Sequence, residues 1–113
     1  MLDPLADRLE RFLDVLSVRQ NLVAANIANA DTPGYKTKDV DFQSTLESLL
    51  DGQTRPAGVE VQGLKPKNDG NNVSLDREAR LLAENAMRFS QASNLLRSQI
   101  RTVKEAIQEG KNG

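Results

Sequence analysis

The chain has no cysteine and no histidine. That excludes disulfides, thiolate nucleophiles, Cys/His metal sites and imidazole acid-base chemistry. Tryptophan is missing too, and three Phe and one Tyr are the whole aromatic complement, so the side chains that bury the most area each are scarce. With 113 residues the sequence has room for one small domain with a modest core. Neither sign of charge dominates: fifteen basic residues against sixteen acidic ones give a net charge of -1, and the two signs are interspersed. No global field therefore points to nucleic acid or anionic lipid. Long apolar runs are absent as well. Nothing approaches the roughly 20 residues of a membrane span, and Asp7, Arg8, Glu10, Arg11 and Asp14 break what would be the apolar stretch of a cleavable signal peptide. By these standard signals alone the expected location is the cytoplasm.

What is present is helical periodicity at both ends. Asp3 before Pro4 reads as a helix start, since Asp accepts from an orphan N–H and Pro at the first helical position loses nothing. From there Leu5, Leu9, Phe12, Leu16, Val23, Asn26 and Ala30 recur at alternating spacings of four and three, with Arg19 at the one seam position skipped. Such a stripe is that of a packed or coiled helix. Toward the other end Ala79, Leu82, Ala86, Phe89, Ser93, Leu96, Ile100, Val103 and Ile107 keep the same alternation without a break. Ser74 suits an N-cap, Asp76 and Glu78 the first turn, Arg97, Arg101 and Lys104 the later turns, and Gly110 a stop.

Between the helices the character changes. Residues 35–73 gather glycines, prolines and the polar cluster Lys67-Asn68-Asp69-Gly70-Asn71-Asn72, and most of this reads as loop or disordered chain. A short helix is expected over Phe42–Leu50 with Gly52 after it, and a weak strand over Val59–Leu64. The sequence thus predicts a mainly α fold: two long terminal helices pairing as a helical hairpin or coiled coil around an irregular middle. Its segments are 1–31, an N-terminal helix; 32–73, a turn and polar middle; and 74–110, a C-terminal helix, the two ends together forming one discontinuous domain.

The junction carries the most specific signal. In Ala25-Asn26-Ile27-Ala28-Asn29-Ala30-Asp31-Thr32-Pro33-Gly34-Tyr35-Lys36, Thr32 is pushed out of the α region by Pro33, and Pro33-Gly34 suits the centre of a type II turn with Gly34 at positive φ. Asn26 places an amide on the seam, where a buried Asn can fix register. No catalytic constellation is visible. The carboxylates Asp39 and Asp41, or Asp76 and Glu78, are expected near helix starts for capping and dipole reasons, and the basic residues Arg88, Arg97, Arg101 and Lys104 are interrupted by Glu105 and Glu109, as on a solvated face. The chain reads as a non-enzyme without cofactor, metal, small-molecule substrate or nucleic-acid partner. Its apolar stripes suit an intramolecular hairpin core and a subunit interface alike.

The run from Ala25 to Lys36 resembles the signature of the bacterial flagellar rod and hook axial proteins, ANxANxxTPGY. Asp39-Val40-Asp41-Phe42, Asn71-Asn72-Val73-Ser74-Leu75-Asp76-Arg77-Glu78 and Leu82 to Phe89 are similar to the proximal-rod branch of that family. Where the branch more often has Asp and Tyr-Gln, this chain has Ser74 and Phe89-Ser90, and its middle is shorter. The resemblance implies a structural rod subunit of the flagellar basal body. It also implies export by the flagellar type III apparatus without a cleaved signal peptide and assembly in the periplasm for motility. Implied partners are further copies of the chain, other rod subunits with FlgC first among them, the adaptor FliE and the export gate. Leu9, Phe12, Leu16, Val23, Asn26, Leu82, Phe89, Leu96, Ile100 and Val103 are expected at the core or subunit interface, with Asn26, Asn29, Thr32, Pro33, Gly34 and Tyr35 shaping the junction. The alternatives are the sister rod subunit FlgC and, from another class, a cytoplasmic helical adaptor or secretion chaperone.

Overall fold

The computed structural model describes residues 3–51 and 57–112, apart from the side chains of residues 46, 49, 50, 51 and 112. Helix α1 spans Pro4–Ala28. It starts where Asp3 Oδ2 accepts from the Ala6 N–H at 3.1 Å with Pro4 in the first turn, so one orphan donor is satisfied and another never existed. At its far end Thr32-Pro33-Gly34-Tyr35 closes a turn, with the Tyr35 N–H donating to the Thr32 carbonyl at 3.2 Å and Gly34 at φ 74°. A side chain at Gly34 would meet nothing within 4 Å, so glycine is required there by the backbone and by nothing else.

Strand β1, Lys38–Val40, pairs antiparallel with β2, Gly58–Glu60, Asp39 facing Val59. Gly58 permits this ribbon to lie against α1, since a Cβ there would stand 3.0 Å from a Leu22 methyl. Helix α2, Phe42–Asp51, follows β1, and Phe12 of α1 meets Phe42 edge-on at 6.0 Å. Helix α3 runs Leu75–Asn112, with the Ser74 Oγ accepting from the Arg77 N–H as the expected cap.

Helices α1 and α3 form an antiparallel hairpin: Asn26 bonds Glu78, Asn85 bonds the Leu16 carbonyl and Gln99 bonds Asp3. At about 1.5 Å per residue the 25-residue α1 and 38-residue α3 are roughly 38 and 57 Å long. The molecule is a rod of 70 × 25 × 17 Å. Beyond Gln99, which meets Asp3 at the start of α1, no helix among the described residues lies beside the last third of α3.

The mainly α architecture with two long terminal helices, a short middle helix and a weak β element is the one the sequence predicts. Three details differ. The second strand is Gly58–Glu60, shorter and earlier than Val59–Leu64, because its partner β1 is itself only three residues long. Much of the expected loop is ordered, held by side-chain amides that bond its backbone. Gly110 does not stop α3; a glycine within a helix costs only about 1 kcal/mol against alanine, and no left-handed cap forms there. The expected stop at Gly52 after α2 lies outside the described residues.

Candidate functional site

The junction motif folds into a polar knot at the loop end of the hairpin. Asn26, with no exposure at all, satisfies both halves of its amide. Its Nδ2 donates to the Lys38 carbonyl at 2.8 Å and to Glu78 Oε2 at 3.2 Å. Its Oδ1 accepts from the Tyr35 hydroxyl at 3.0 Å and the Lys38 N–H at 3.1 Å. One side chain thus ties α1 to the turn, to β1 and to α3. A buried amide with every group paired specifies one arrangement, because any other strands a donor or acceptor in the core.

A second amide, Asn71, is equally buried. Its Nδ2 donates to the carbonyls of Asn29 and Thr32, both at 2.8 Å, and so satisfies the frayed end of α1. Neighbouring Asn72 accepts from the Thr37 N–H at 2.6 Å and donates its own N–H to Tyr35. Lys36 Nζ donates to the Gly70 carbonyl, and Gly34 N–H to Asp69. Asn29 closes locally, its Nδ2 on Ala25 and its Oδ1 accepting from Thr32 Oγ1. The polar cluster 67–72 and the turn at 32–35 are therefore two sides of one clamp.

An ion-pair network backs the knot. Arg19 binds Asp39 through two parallel bonds of 3.0 Å, and Arg77 reaches Asp39 at 2.8 Å and Glu78 at 2.7 Å. Glu78 is fully buried and Asp39 nearly so. The forked guanidinium of Arg19 matches the carboxylate geometry, and its other face lies over the Phe42 ring at 5.3 Å. Burial, and then the Glu78 carboxylate beside it, raise the Tyr35 hydroxyl above its ordinary value. Asp39 holds both Arg19 and Arg77, and Arg77 also holds Glu78, so the group joins α1, β1 and α3.

The residues expected at a core or interface divide by position. Leu9, Leu16, Val23 and Asn26 are buried in the hairpin, and Phe12 is half-buried against α2. On α3 the residues turned to α1 are Glu78, Leu81, Asn85 and Ala92, one step round from the apolar seam read in the sequence. That seam stays at the surface: Leu82, Phe89 and Ile100 are about two-fifths exposed and Ile107 more than half, while Leu96 and Val103 are half-buried. Thr32, Pro33 and Gly34 are exposed and Asn29 and Tyr35 half-buried. Sequence reasoning missed Arg19, Asp39, Asn71, Asn72, Arg77 and Glu78 as the clamp. A signal existed in the charged Arg19 within an apolar stripe and in the run Asn71 to Glu78.

Among the described residues no helix is long and apolar enough to cross a membrane. Residues 13–36, the end of α1 and the turn, match the family model described as flagella basal body rod protein. The chain is similar over nearly its whole length to proteins named flagellar basal body rod protein FlgB. That of Borrelia hermsii is 36% identical over 89% of this chain and 93% of that protein. That of Escherichia coli K12 is 33% identical over 97% and 99%, and that of Yersinia ruckeri 30% identical over 97% and 100%. The knot built on Asn26, Tyr35 and Glu78, the long helix pair and these full-length likenesses agree: the chain belongs to the FlgB family of flagellar basal-body rod proteins, structural subunits of the rod.

Proposed function

We propose that the chain builds the proximal part of the rod, polymerising through its paired terminal helices, with the clamp at the loop end setting how those helices meet. The observation that carries this is the apolar seam of α3. Leu82, Phe89, Ile100 and Ile107 lie exposed along one line that continues past the end of α1. Fully burying a Leu, Ile or Phe side chain is worth about 1.5–3 kcal/mol as an upper estimate, so a row of them left in water favours association. Those residues, with Leu96 and Val103, form the subunit interface, while Leu9, Phe12, Leu16, Val23 and Asn26 hold the hairpin that presents it. The distal part of α3 orders fully only when neighbours cover it, which offsets its conformational entropy.

The same reading gives the chain FlgC and other rod subunits as axial neighbours, with FliE and the export gate on the other side. It has the chain leave the cell interior by the flagellar type III route with no signal peptide removed. The test is Ile100→Asp with Ile107→Asp in a flagellated cell lacking its own relative. The variant should be absent from isolated basal bodies and the cells non-motile, with the purified variant keeping its hairpin; normal motility would overturn the proposal. Intact mass of the chain from basal bodies checks the export route, and cross-linking there checks the neighbours. A chain that stays in the cytoplasm as a fixed small oligomer would favour the adaptor instead.

A further inference from the structure

The two sides of the hairpin differ. One is covered by α2 and the β ribbon, where Phe42 and Leu22 pack. On the other an open groove of about 380 Å³ runs between the helices, with Ser17, Gln20 and Asn21 on α1 facing Asn85, Ala86 and Phe89 on α3. Its α3 wall is the exposed seam and its floor is Asn85, whose Oδ1 is buried and accepts nothing among the described residues. On α3 the groove itself is lined from Asn85 to Phe89, and the seam that continues it along the same face, from Leu82 to Leu96, is about 21 Å long. The part of α3 that projects past Gln99, Ile100–Asn112, is about 20 Å long.

Resting on the rod reading, we infer that the projecting end of α3 from one copy lies in this groove of the next copy, so that each subunit is both socket and plug. Length is the first reason. Charge is the second. The projecting end flanks its apolar residues Ile100, Val103 and Ile107 with Lys104 and Lys111 at helical spacing, while Glu105 and Glu109 fall on the opposite side of the helix. Glu10 and Asp14 lie on the exposed face of α1 along the same stretch, given that Leu16 stands opposite Asn85 and Asp3 opposite Gln99. Neither acid is in an ion pair among the described residues. A shallow site on the α2 side, lined by Leu9, Phe12 and Arg88 among others, offers a cation to the Lys104 and Lys111 edge of the projecting helix and is disfavoured. A plug-and-socket contact is heterologous: the donor and acceptor surfaces differ, so it adds copies in an open helical line and does not close into a dimer.

The chain's lack of cysteine makes the test clean. Ala86→Cys in the groove and Lys104→Cys on the projecting end are combined in one chain. These positions are roughly 27 Å apart on α3, far beyond the reach of a disulfide, whose Cα atoms stand about 4.4–6.8 Å apart, so any bond joins two copies. In basal bodies isolated from a cell lacking its own relative, oxidation should give a ladder of dimers, trimers and longer multimers, while each single variant gives none. The double variant present in basal bodies without a ladder would overturn the inference and leave the rod reading standing, as would dimers from Ala86→Cys alone. A ladder from concentrated purified chain, with the chain missing from basal bodies, would keep the contact and sink the rod reading. Should the double variant not assemble, charge reversal decides. Lys104→Glu should cut cross-linking between otherwise unaltered neighbours, captured with a lysine-independent photo-cross-linker placed at Ala86, by roughly two- to fivefold. Adding Glu10→Lys and Asp14→Lys should restore it, and no restoration would overturn the inference.

Discussion

Asn26 and Glu78 are fifty-two residues apart in sequence and bonded at 3.2 Å, both without solvent exposure. The amide in α1 donates to a carboxylate from α3 in the hairpin's interior, and Arg77 completes its coordination. Replacing Asn26 by Asp removes both donors and sets a second carboxylate against the first. The folded-state pKa of Asp at 26 would then rise above its unfolded value of about 3.9. A group with a raised folded pKa loses stability as pH climbs through that pKa, so the deficit of Asn26→Asp against the parent should widen from pH 4 to pH 7. The expected loss at pH 7 is about 3–5 kcal/mol, read from urea unfolding at the two pH values; a pH-independent loss would mean that the aspartate is not buried beside Glu78.

Asp39 tests the ion-pair network apart from the amide. Its carboxylate holds Arg19 and Arg77 at 3.0 and 2.8 Å, with all three side chains at or below 17% exposure. Asp39→Ala leaves Arg19 buried without a counter-charge and Arg77 with Glu78 alone, which should cost about 3–5 kcal/mol. The surface pair Arg11–Asp7, at 37% exposure on each side, supplies the contrast. Asp7→Ala should cost no more than about 0.5 kcal/mol. Equal losses in chemical denaturation would refute the assignment of Asp39 to a buried hub.

Tyr35 carries a pH signature of its own. Its hydroxyl donates to Asn26 at 3.0 Å, and burial together with Glu78 raises its pKa above the ordinary 10.0. The native state therefore keeps the neutral phenol where the unfolded chain has already ionised. Stability contributed by such a group is whole below pH 10.0 and is lost as pH rises through the higher folded value. Tyr35→Phe should lower stability at pH 7 by about 1 kcal/mol and flatten the alkaline decline. Parallel denaturation curves for parent and variant between neutral and alkaline pH would count against the buried hydroxyl.

Much of this architecture was readable in the order of residues, and what was unreadable has a common cause. Asp3-Pro4, Ser74 and Pro33-Gly34 act within three or four positions of themselves, so helix starts and the turn follow from local chemistry. Strand β1 has no such signal. It exists because Asn26 bonds both backbone groups of Lys38 and Asn72 bonds the N–H of Thr37, partners 12 and 35 residues away. Glu78 reads as a first-turn carboxylate suited to the helix dipole, yet its neighbours in space bury it. The α3 seam is the instructive case. Its period leaves hairpin core and subunit interface alike open, and the structure turns Asn85 and Glu78 to the hairpin through polar partners, leaving Leu82 and Phe89 at the surface. The family motif located the knot without revealing that Asp39, Asn71 and Glu78 are parts of it.

The clamp and the projecting end imply a gradient of local stability along α3, measurable by amide hydrogen exchange on the purified chain. Near the loop end, residues 77–92 pack on α1 through Glu78, Leu81, Asn85 and Ala92, and opening them breaks the network, so their amides should exchange only with global unfolding. Past Gln99, among the described residues, the helix has only hydrogen bonds within itself, and about thirteen residues are near the lower limit at which an isolated helix holds in water. Amides of Val103 to Glu109 should exchange at least a hundredfold faster than those of Leu81 to Asn85, a difference of about 2.7 kcal/mol or more. When the chain assembles, protection should rise at this projecting end and along Ser17 to Asn21, with little change at Asn26 or Asn71. Uniform protection along the free helix would mean that its distal turns are already satisfied in the monomer, and the association energy would have to come from the hairpin surface alone.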